Sequence, residues 1–459
     1  MNQNGTLSLT VLGGGGEVGA NAYEVSCSGA RILLDCGTHP KKEGPETLPA
    51  LSLLNRPPHA CLFTHAHVDH CGAAPMLGKM FPGVKGYASD PTVILMDRML
   101  HNSVSVMEAL AKERGISEYP LYDHYDVNFF IRHMTGVAFG RPFFVQAPVP
   151  VEVSFHEAGH VLGSAGILIQ FPGHTLYYTG DVCRKPQFLL GGARFPRRNI
   201  RVDTLIIEST QGGTDEGKHF PFTEETNRLA RAVDQVIRRG GCVLIPSFAL
   251  GRTQEMVNLL AHLRETGRIA PADIYTAGLG RAIYEVYDKF SDHLKPGAWL
   301  RPLDMFKRMN NVVAEPGEIR NLLARPCIIV ATSGMMLENT PSAVLAAAMT
   351  REERHGIFFV GYLDPETPGY KLLHAAQGDP IQFELDKPPV PKGPAEVRSF
   401  RFSAHATRSE LAEIIDRFNP KNIVYIHGDP DALAWMRANT GNGGVSCVPM
   451  IGQTVTLEA

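Results

Sequence analysis

Three imidazoles and a carboxylate fall within six consecutive residues, His65-Ala66-His67-Val68-Asp69-His70. Packing rarely calls for such a run, whereas metal ligation does. In extended backbone His65 and His67 stand two apart, project to one side and can grip a single ion. Asp69 and His70 follow as the chain turns into a helix near residues 72–77, from where they can reach a second ion. Nitrogen and carboxylate donors without a thiolate suit Zn²⁺, with Mn²⁺ or Fe as alternatives. Two later segments offer further ligands in the same order along the chain: Gly159-His160-Val161-Leu162-Gly163, a histidine in a glycine-flanked loop, and Tyr178-Thr179-Gly180-Asp181. The two oxygens of Asp181 allow it to bridge two ions.

The elements that must hold these side chains are short strands that end on polar residues. Residues 7–12 and 22–26 read as strands joined by the turn Gly13-Gly14-Gly15-Gly16. The glycine run joins strands rather than opening a helix, which favours a tight turn over a phosphate loop. Residues 31–35 end on Asp35, 60–64 run into His65, and 204–208 end on Glu208. Strands that stop on such residues place a site on the loops at one sheet edge. A helix is predicted over 91–114, and strands over 151–155, 165–171 and 175–179. From about residue 209 the texture changes: helices over 223–239 and 252–265 alternate with apolar strands at 242–245, 327–331 and 357–360, the pattern of a small parallel α/β unit. Residues 387–394, Lys-Pro-Pro-Val-Pro-Lys-Gly-Pro, read as a stiff connector, followed by strand 397–402, helix 408–418 and strand 422–426.

Asp35, His65-x-His67-x-Asp69-His70, His160 and Asp181 together resemble the successive metal-site motifs of the metallo-β-lactamase superfamily. In the second half, Glu208-Ser209-Thr210, Phe248-Ala249-Leu250-Gly251-Arg252, Ser333-Gly334-Met335-Met336 and Ser403-Ala404-His405 resemble its β-CASP branch, most closely the nuclease subunit of the cleavage and polyadenylation specificity factor and its prokaryotic relatives. The resemblance implies an α/β fold: an αββα sandwich formed by residues 1–208 and a C-terminal return at 386–459, with a parallel α/β β-CASP domain inserted at 209–385. It implies two Zn²⁺ ions, with Mn²⁺ as substitute. One would be held by His65, His67, His160 and Asp181, the other by Asp69, His70, Asp181 and His405. Asp35 would orient a ligand histidine from behind. Asp69, Glu208 and His374 are the catalytic candidates, with His374 and Glu208 paired as proton donor. Ser333, Gly334 and Met335, between a buried strand and a helix, suit a substrate phosphate. His427, in Ile426-His427-Gly428-Asp429, matches a late motif for which a structural role is at least as good a reading. Gln211 stands where the family pattern has tyrosine, which touches the groove rather than the metals.

The reaction so implied is hydrolysis of phosphodiester bonds in single-stranded RNA, by endo- or exonucleolytic cleavage. His405 favours RNA, because the DNA-repair branch typically has an aliphatic residue there. A DNA nuclease, a small-molecule hydrolase of the same fold and a non-catalytic scaffold are the alternatives. The chain's 459 residues carry a formal net charge of −3, which excludes a broadly basic nucleic-acid-binding surface and leaves a local groove and the metals to hold substrate. Eight scattered cysteines with no CxxC pair read as buried reduced thiols. Residues 1–5 show no secretory signal and no apolar run reaches the ~18 residues of a membrane span. The protein is expected to be cytoplasmic, without membrane contact and without the added nucleic-acid-binding modules of some relatives, and a homodimer is admitted.

Overall fold

Two seven-stranded sheets form the scaffold of the site. The computed structural model describes residues 5–459 except His219, Ala314, Pro316 and Asn442; residues 1–4, part of the segment read for a signal, lie outside the described residues. In the first sheet the order is Thr454–Leu457, Leu7–Gly13, Ala22–Cys27, Ala30–Leu34, Ala60–Leu62, Gly86–Ser89, Met134–Val137. In the second it is Val445–Cys447, Asn422–Ile426, Thr204–Glu208, His174–Tyr178, Ala165–Phe171, Val151–Glu157, Phe143–Val145. Alternate residues of both sheets, among them Leu9, Val25, Ile32, Val153, Ile167 and Val424, are buried in one core between them. The reverse face of the second sheet packs Leu205, Ile207, Ile423 and Tyr425 against Leu411, Ile414 and Ile415 of the helix Arg408–Phe418. That helix starts where it does because Thr407 and Glu410 form a reciprocal capping box. The helix Asp90–Arg114 is likewise set by its ends, with Ser89 accepting from Thr92 N and Gly115 leaving in the left-handed region. The result is the αββα sandwich implied by the sequence.

The protein divides into two compact units. One comprises Met1–Pro186, Leu190–Glu216 and Ala404–Ala459; the other comprises Gln187–Leu189 and Gly217–Ser403. The second unit holds a six-stranded parallel sheet in the order Lys307–Arg308, Asp273–Thr276, Cys327–Ala331, Val243–Pro246, Gly356–Phe359, Glu396–Ser399. Separate apolar clusters cover its two faces, which is why its central strands read as unbroken hydrophobic runs.

The boundaries differ from the sequence reading. The strand expected at 397–402 to rejoin the sandwich is Glu396–Ser399, and it extends the second unit's sheet, with Ile357 opposite Val397. The proline-rich stretch is no free connector: Pro380–Ile381 and Val390–Pro391 form an antiparallel ribbon, a setting in which proline costs little because an edge need not donate. The return to the first unit therefore comes at Ala404 rather than 386, and the departure comes after Glu216 rather than 208.

No helix among the described residues is long and apolar enough to cross a membrane. Because three strands of the sandwich lie beyond Ser403, a fragment ending there exposes an open edge on each sheet. In limited proteolysis of that fragment, residues 5–216 are expected to be degraded under conditions in which the full chain survives. Protection of that segment would show that the sandwich closes without its C-terminal strands.

Candidate metal centre

The functional side chains gather where strands of both sheets end. Asp35 leaves Ala30–Leu34, His65 follows Ala60–Leu62, Asp181 follows His174–Tyr178, Glu208 closes Thr204–Glu208 and His427 follows Asn422–Ile426. Two glycines make the approach of the backbones feasible. A Cβ on Gly37 would lie 1.8 Å from Asp69 O, and Gly180, at φ +53°, would bring a Cβ within 2.7 Å of Thr64.

Asp35 is fully buried and sits in the left-handed region at φ +56°, a conformation aspartate tolerates better than most residues. Its Oδ1 accepts from Thr64 N at 2.7 Å; its Oδ2 accepts from Thr64 Oγ1 at 2.9 Å, His70 Nδ1 at 2.8 Å and Tyr178 OH at 2.6 Å. Engaging His70 through Nδ1 turns Nε2 towards Asp181 Oδ1, 3.4 Å away.

The same logic fixes two neighbouring rings. Thr64 gives its only hydroxyl proton to Asp35, so it accepts from His65 Nδ1 at 3.1 Å. His160 Nδ1 donates to Ala404 O at 2.8 Å. Each ring is left with a lone pair on Nε2. Those two nitrogens lie 3.0 and 3.1 Å from His67 Nδ1, and 3.7 and 3.6 Å from Asp181 Oδ2. Burial pushes the His65 and His160 imidazoles well below their usual range, so both are neutral. Converging lone pairs with a carboxylate make a donor set that fits a Zn²⁺ ion.

A second group shares Asp181. Its Oδ1 is buried and accepts no hydrogen bond among the described residues, although His427 Nδ1 lies 3.2 Å away and His70 Nε2 3.4 Å. His427 Nε2 faces Asp69 Oδ2 at 3.3 Å. Asp69, His70 and His427 bring three ligand atoms close enough to hold one ion. Burial acts against charging His70 and His427, yet the adjoining carboxylates of Asp181 and Asp69 hold both above the ordinary histidine range. Carboxylates that draw protons onto buried imidazoles are carboxylates in need of a cation. The Asp181 carboxyl is held well below its usual range: burial opposes this, but His427 and His70 outweigh it.

Glu208 stands beside these groups. Its carboxylate accepts from Val182 N at 2.8 Å and Thr210 N at 3.3 Å, and meets His405 Nδ1 at 3.1 Å through both oxygens. Against the effect of burial, Glu208 raises His405 to about 9, so the ring is a cation near neutral pH.

His405, expected as a ligand of the second ion, groups with Asp181 and Glu208, and His427, for which a structural role was at least as good a reading, groups with Asp69 and His70. Glu208, expected to pair with His374, meets His405 within the first unit. His374 closes the helix Pro368–His374 of the second unit, where its Nδ1 donates to Tyr370 O at 2.9 Å and its ring stacks on Tyr370. In the same unit Ser333 Oγ accepts from Leu337 N, Ser333 O accepts from Ser342 Oγ, and Met335 O accepts from Gly369 N, so the loop containing Gly334 is held by its own neighbours. Sequence reasoning missed Asn21, whose Nδ2 donates to Asp69 O at 3.0 Å and lies 3.1 Å from His70 Nε2; a lone asparagine after a glycine turn carries no signal of this.

Comparison with known proteins agrees in outline. The metallo-β-lactamase superfamily model matches residues 15–232, the Beta-Casp domain model 253–372, and the model of a Zn-dependent metallo-hydrolase RNA specificity domain 392–448. The chain is 32% identical over 453 residues to the transcription termination factor FttA of Methanocaldococcus jannaschii, covering 92% of this chain and 67% of that one. It is 29% identical over 443 residues to cleavage and polyadenylation specificity factor subunit 3 of Dictyostelium discoideum, covering 94% and 54%. To RNase aCSPSF2 of Saccharolobus solfataricus it is 28% identical over 426 residues, covering 92% and 79%.

The Glu208–His405 pair makes a spectroscopic prediction. In the metal-free protein the His405 ring is expected to titrate near pH 9 by NMR, and in Glu208→Gln to fall towards or below 6.5, because burial then meets less opposition. A titration unchanged by the substitution would show that Glu208 does not set the proton on His405.

Proposed function

Because this chain belongs to the β-CASP branch of the metallo-β-lactamase superfamily and is a metal-dependent hydrolase of its RNA-nuclease families, we propose that it cleaves phosphodiester bonds of single-stranded RNA at a two-zinc centre. The observation that carries the reading is the division of Asp181 between two donor groups, Oδ2 towards His65 and His160 and Oδ1 towards His70 and His427. One ion would be held by His65, His67, His160 and Asp181, the other by Asp69, His70, His427 and Asp181.

Bound there, two zinc ions supply positive charge for the phosphate oxygens and acidify water to near-neutral pH. The rest is the work of side chains. Asp69, partly exposed at the start of the short helix Val68–Cys71, accepts a proton from the attacking water and orients it. His405 donates from Nε2 to the leaving ribose oxygen, while Glu208 on Nδ1 keeps the ring charged and fixes its plane. Asp35, Thr64 and Ala404 O hold the ligand histidines by their far nitrogens, so that little reorganisation accompanies the reaction. The RNA assignment draws on the RNA specificity domain model over 392–448, which includes His405 and His427, and on the names of the relatives.

The roles proposed for the two histidines are separable. His405→Ala is expected to retain both ions by elemental analysis and to lose roughly a hundred- to ten-thousand-fold in kcat. His427→Ala is expected to lose one ion. Zinc loss in the first variant with full occupancy in the second would restore the ligand set expected from sequence.

On substrate, matched single-stranded RNA should be cleaved faster than DNA of the same sequence, and base-paired RNA should resist. Equal rates on RNA and DNA would leave only a metal-dependent phosphodiesterase.

A further inference from the structure

The strands that carry the metal centre run parallel, and their other ends hold a second feature. His174–Tyr178, Thr204–Glu208, Asn422–Ile426 and Val445–Cys447 are neighbours in parallel register. Asp181, Glu208 and His427 lie at or just past their C-terminal ends. At the N-terminal ends, the loop before Thr204 and the loop between Phe418 and Asn422 line a cavity of about 640 Å³. With five residues per strand at ~3.3 Å each, the cavity lies roughly 17 Å from the metal centre, on the opposite edge of the sheet.

Arg197, Arg198, Arg201, Arg417 and Lys421 line this cavity, and no acidic residue does among the described residues. Around the cavity Asp203 approaches Arg201 to 3.7 Å while accepting from Thr175 N at 2.9 Å, and Lys421 Nζ donates to Ala459 O. In a chain whose formal net charge is −3, five cations gathered around one concavity are a strong local field. The arginines also repel one another: burial and the Arg198 guanidinium both push Arg417 down. Arg417 is nonetheless held in place, donating to Pro196 O at 2.8 Å and lying over Phe195 and Phe418 at 5.3 and 6.0 Å from the ring centroids. A fixed guanidinium on an aromatic ring, surrounded by exposed arginines, matches the chemistry of single-stranded nucleic acid, where phosphates meet cations and bases meet flat faces.

We propose that this cavity is an accessory binding site for the phosphate backbone of single-stranded RNA, engaging a stretch of substrate remote from the scissile bond. The proposal rests on the RNA reading above, but it fails separately from it. Cleavage would be retained without this site and would lose only affinity for long substrates.

The test uses the full chain and the triple variant Arg197→Gln/Arg198→Gln/Arg201→Gln, three exposed side chains outside the metal centre and outside the Arg417 packing. Binding is read by fluorescence anisotropy with a phosphorothioate single-stranded RNA, which resists cleavage. The variant is expected to bind about tenfold more weakly at moderate salt, and the slope of log affinity against log salt should fall by about 2, the share of three phosphate contacts at ~0.7 each. In cleavage, KM for a long RNA should rise with kcat unchanged, while a tetranucleotide should be processed equally by both proteins. Unchanged affinity and salt slope would overturn the proposal, as would polyglutamate competing as well as RNA, which would make the cavity a site for acidic protein. If the unaltered protein binds the RNA through this site but hydrolyses none, the functional reading falls and the binding site stands. Thermal unfolding of the variant at the unaltered temperature guards against a folding defect; should it be lowered, Lys421→Gln alone is expected to reduce the salt slope by about 0.7.

Discussion

The buried carboxylate of Asp35 ties together parts of the protein that are distant in sequence. It receives two bonds from Thr64, at the end of a neighbouring strand in its own sheet, one from Tyr178 in the other sheet, and one from His70 in the centre itself. Every bond to a buried charge is one that must not be lost, since an unpaired carboxylate in such surroundings is costly. The left-handed backbone at residue 35 is sustained by those bonds. Through Thr64 the same carboxylate also decides the tautomer of His65, so a residue that need touch no metal determines which nitrogen atoms face the centre.

From that anchor the electrostatics of the cluster follow. On one side the buried His65 and His160 imidazoles are neutral; the Asp69 side carries more carboxylate and draws charge onto its imidazoles. Asp181 lies between, with one oxygen towards each. Glu208 engages His405 through Nδ1 and holds charge on its ring. An imidazole whose charge is maintained by a buried carboxylate is suited to giving a proton. On the proposed function, six histidines of one cluster divide into five holders of metal and one donor of protons.

Parallel strand order does a second service. It collects the acidic and imidazole side chains at the C-terminal ends of the second sheet's strands and leaves the loops at the N-terminal ends free to differ in character, and there they are basic. A modestly acidic protein can thus concentrate positive charge in one place without a basic surface overall.

The sequence by itself determined the donor types, most of the elements that bear them and the sandwich with its insert. Strands such as Thr204–Glu208 and Cys327–Ala331 are buried on both faces and read as unbroken apolar runs, and helix Arg408–Phe418 announces its start with Thr407 and Glu410. Short strands such as Gly86–Ser89 and, at the sheet edge, Met134–Val137 went unread, because four residues carry little pattern. What tertiary structure alone decided is which neighbours each histidine meets. His405 and His427 stand on loops 22 residues apart, and nothing in either loop says which faces Glu208. The answer depends on the register of two parallel strands, Glu208 beside Ile426, which carries His427 one residue past Glu208's level and towards Asp69 while the preceding loop brings His405 onto the carboxylate. The limits of the inserted unit were likewise set by pairing, since a strand's sequence shows that it needs a neighbour but not which sheet provides one.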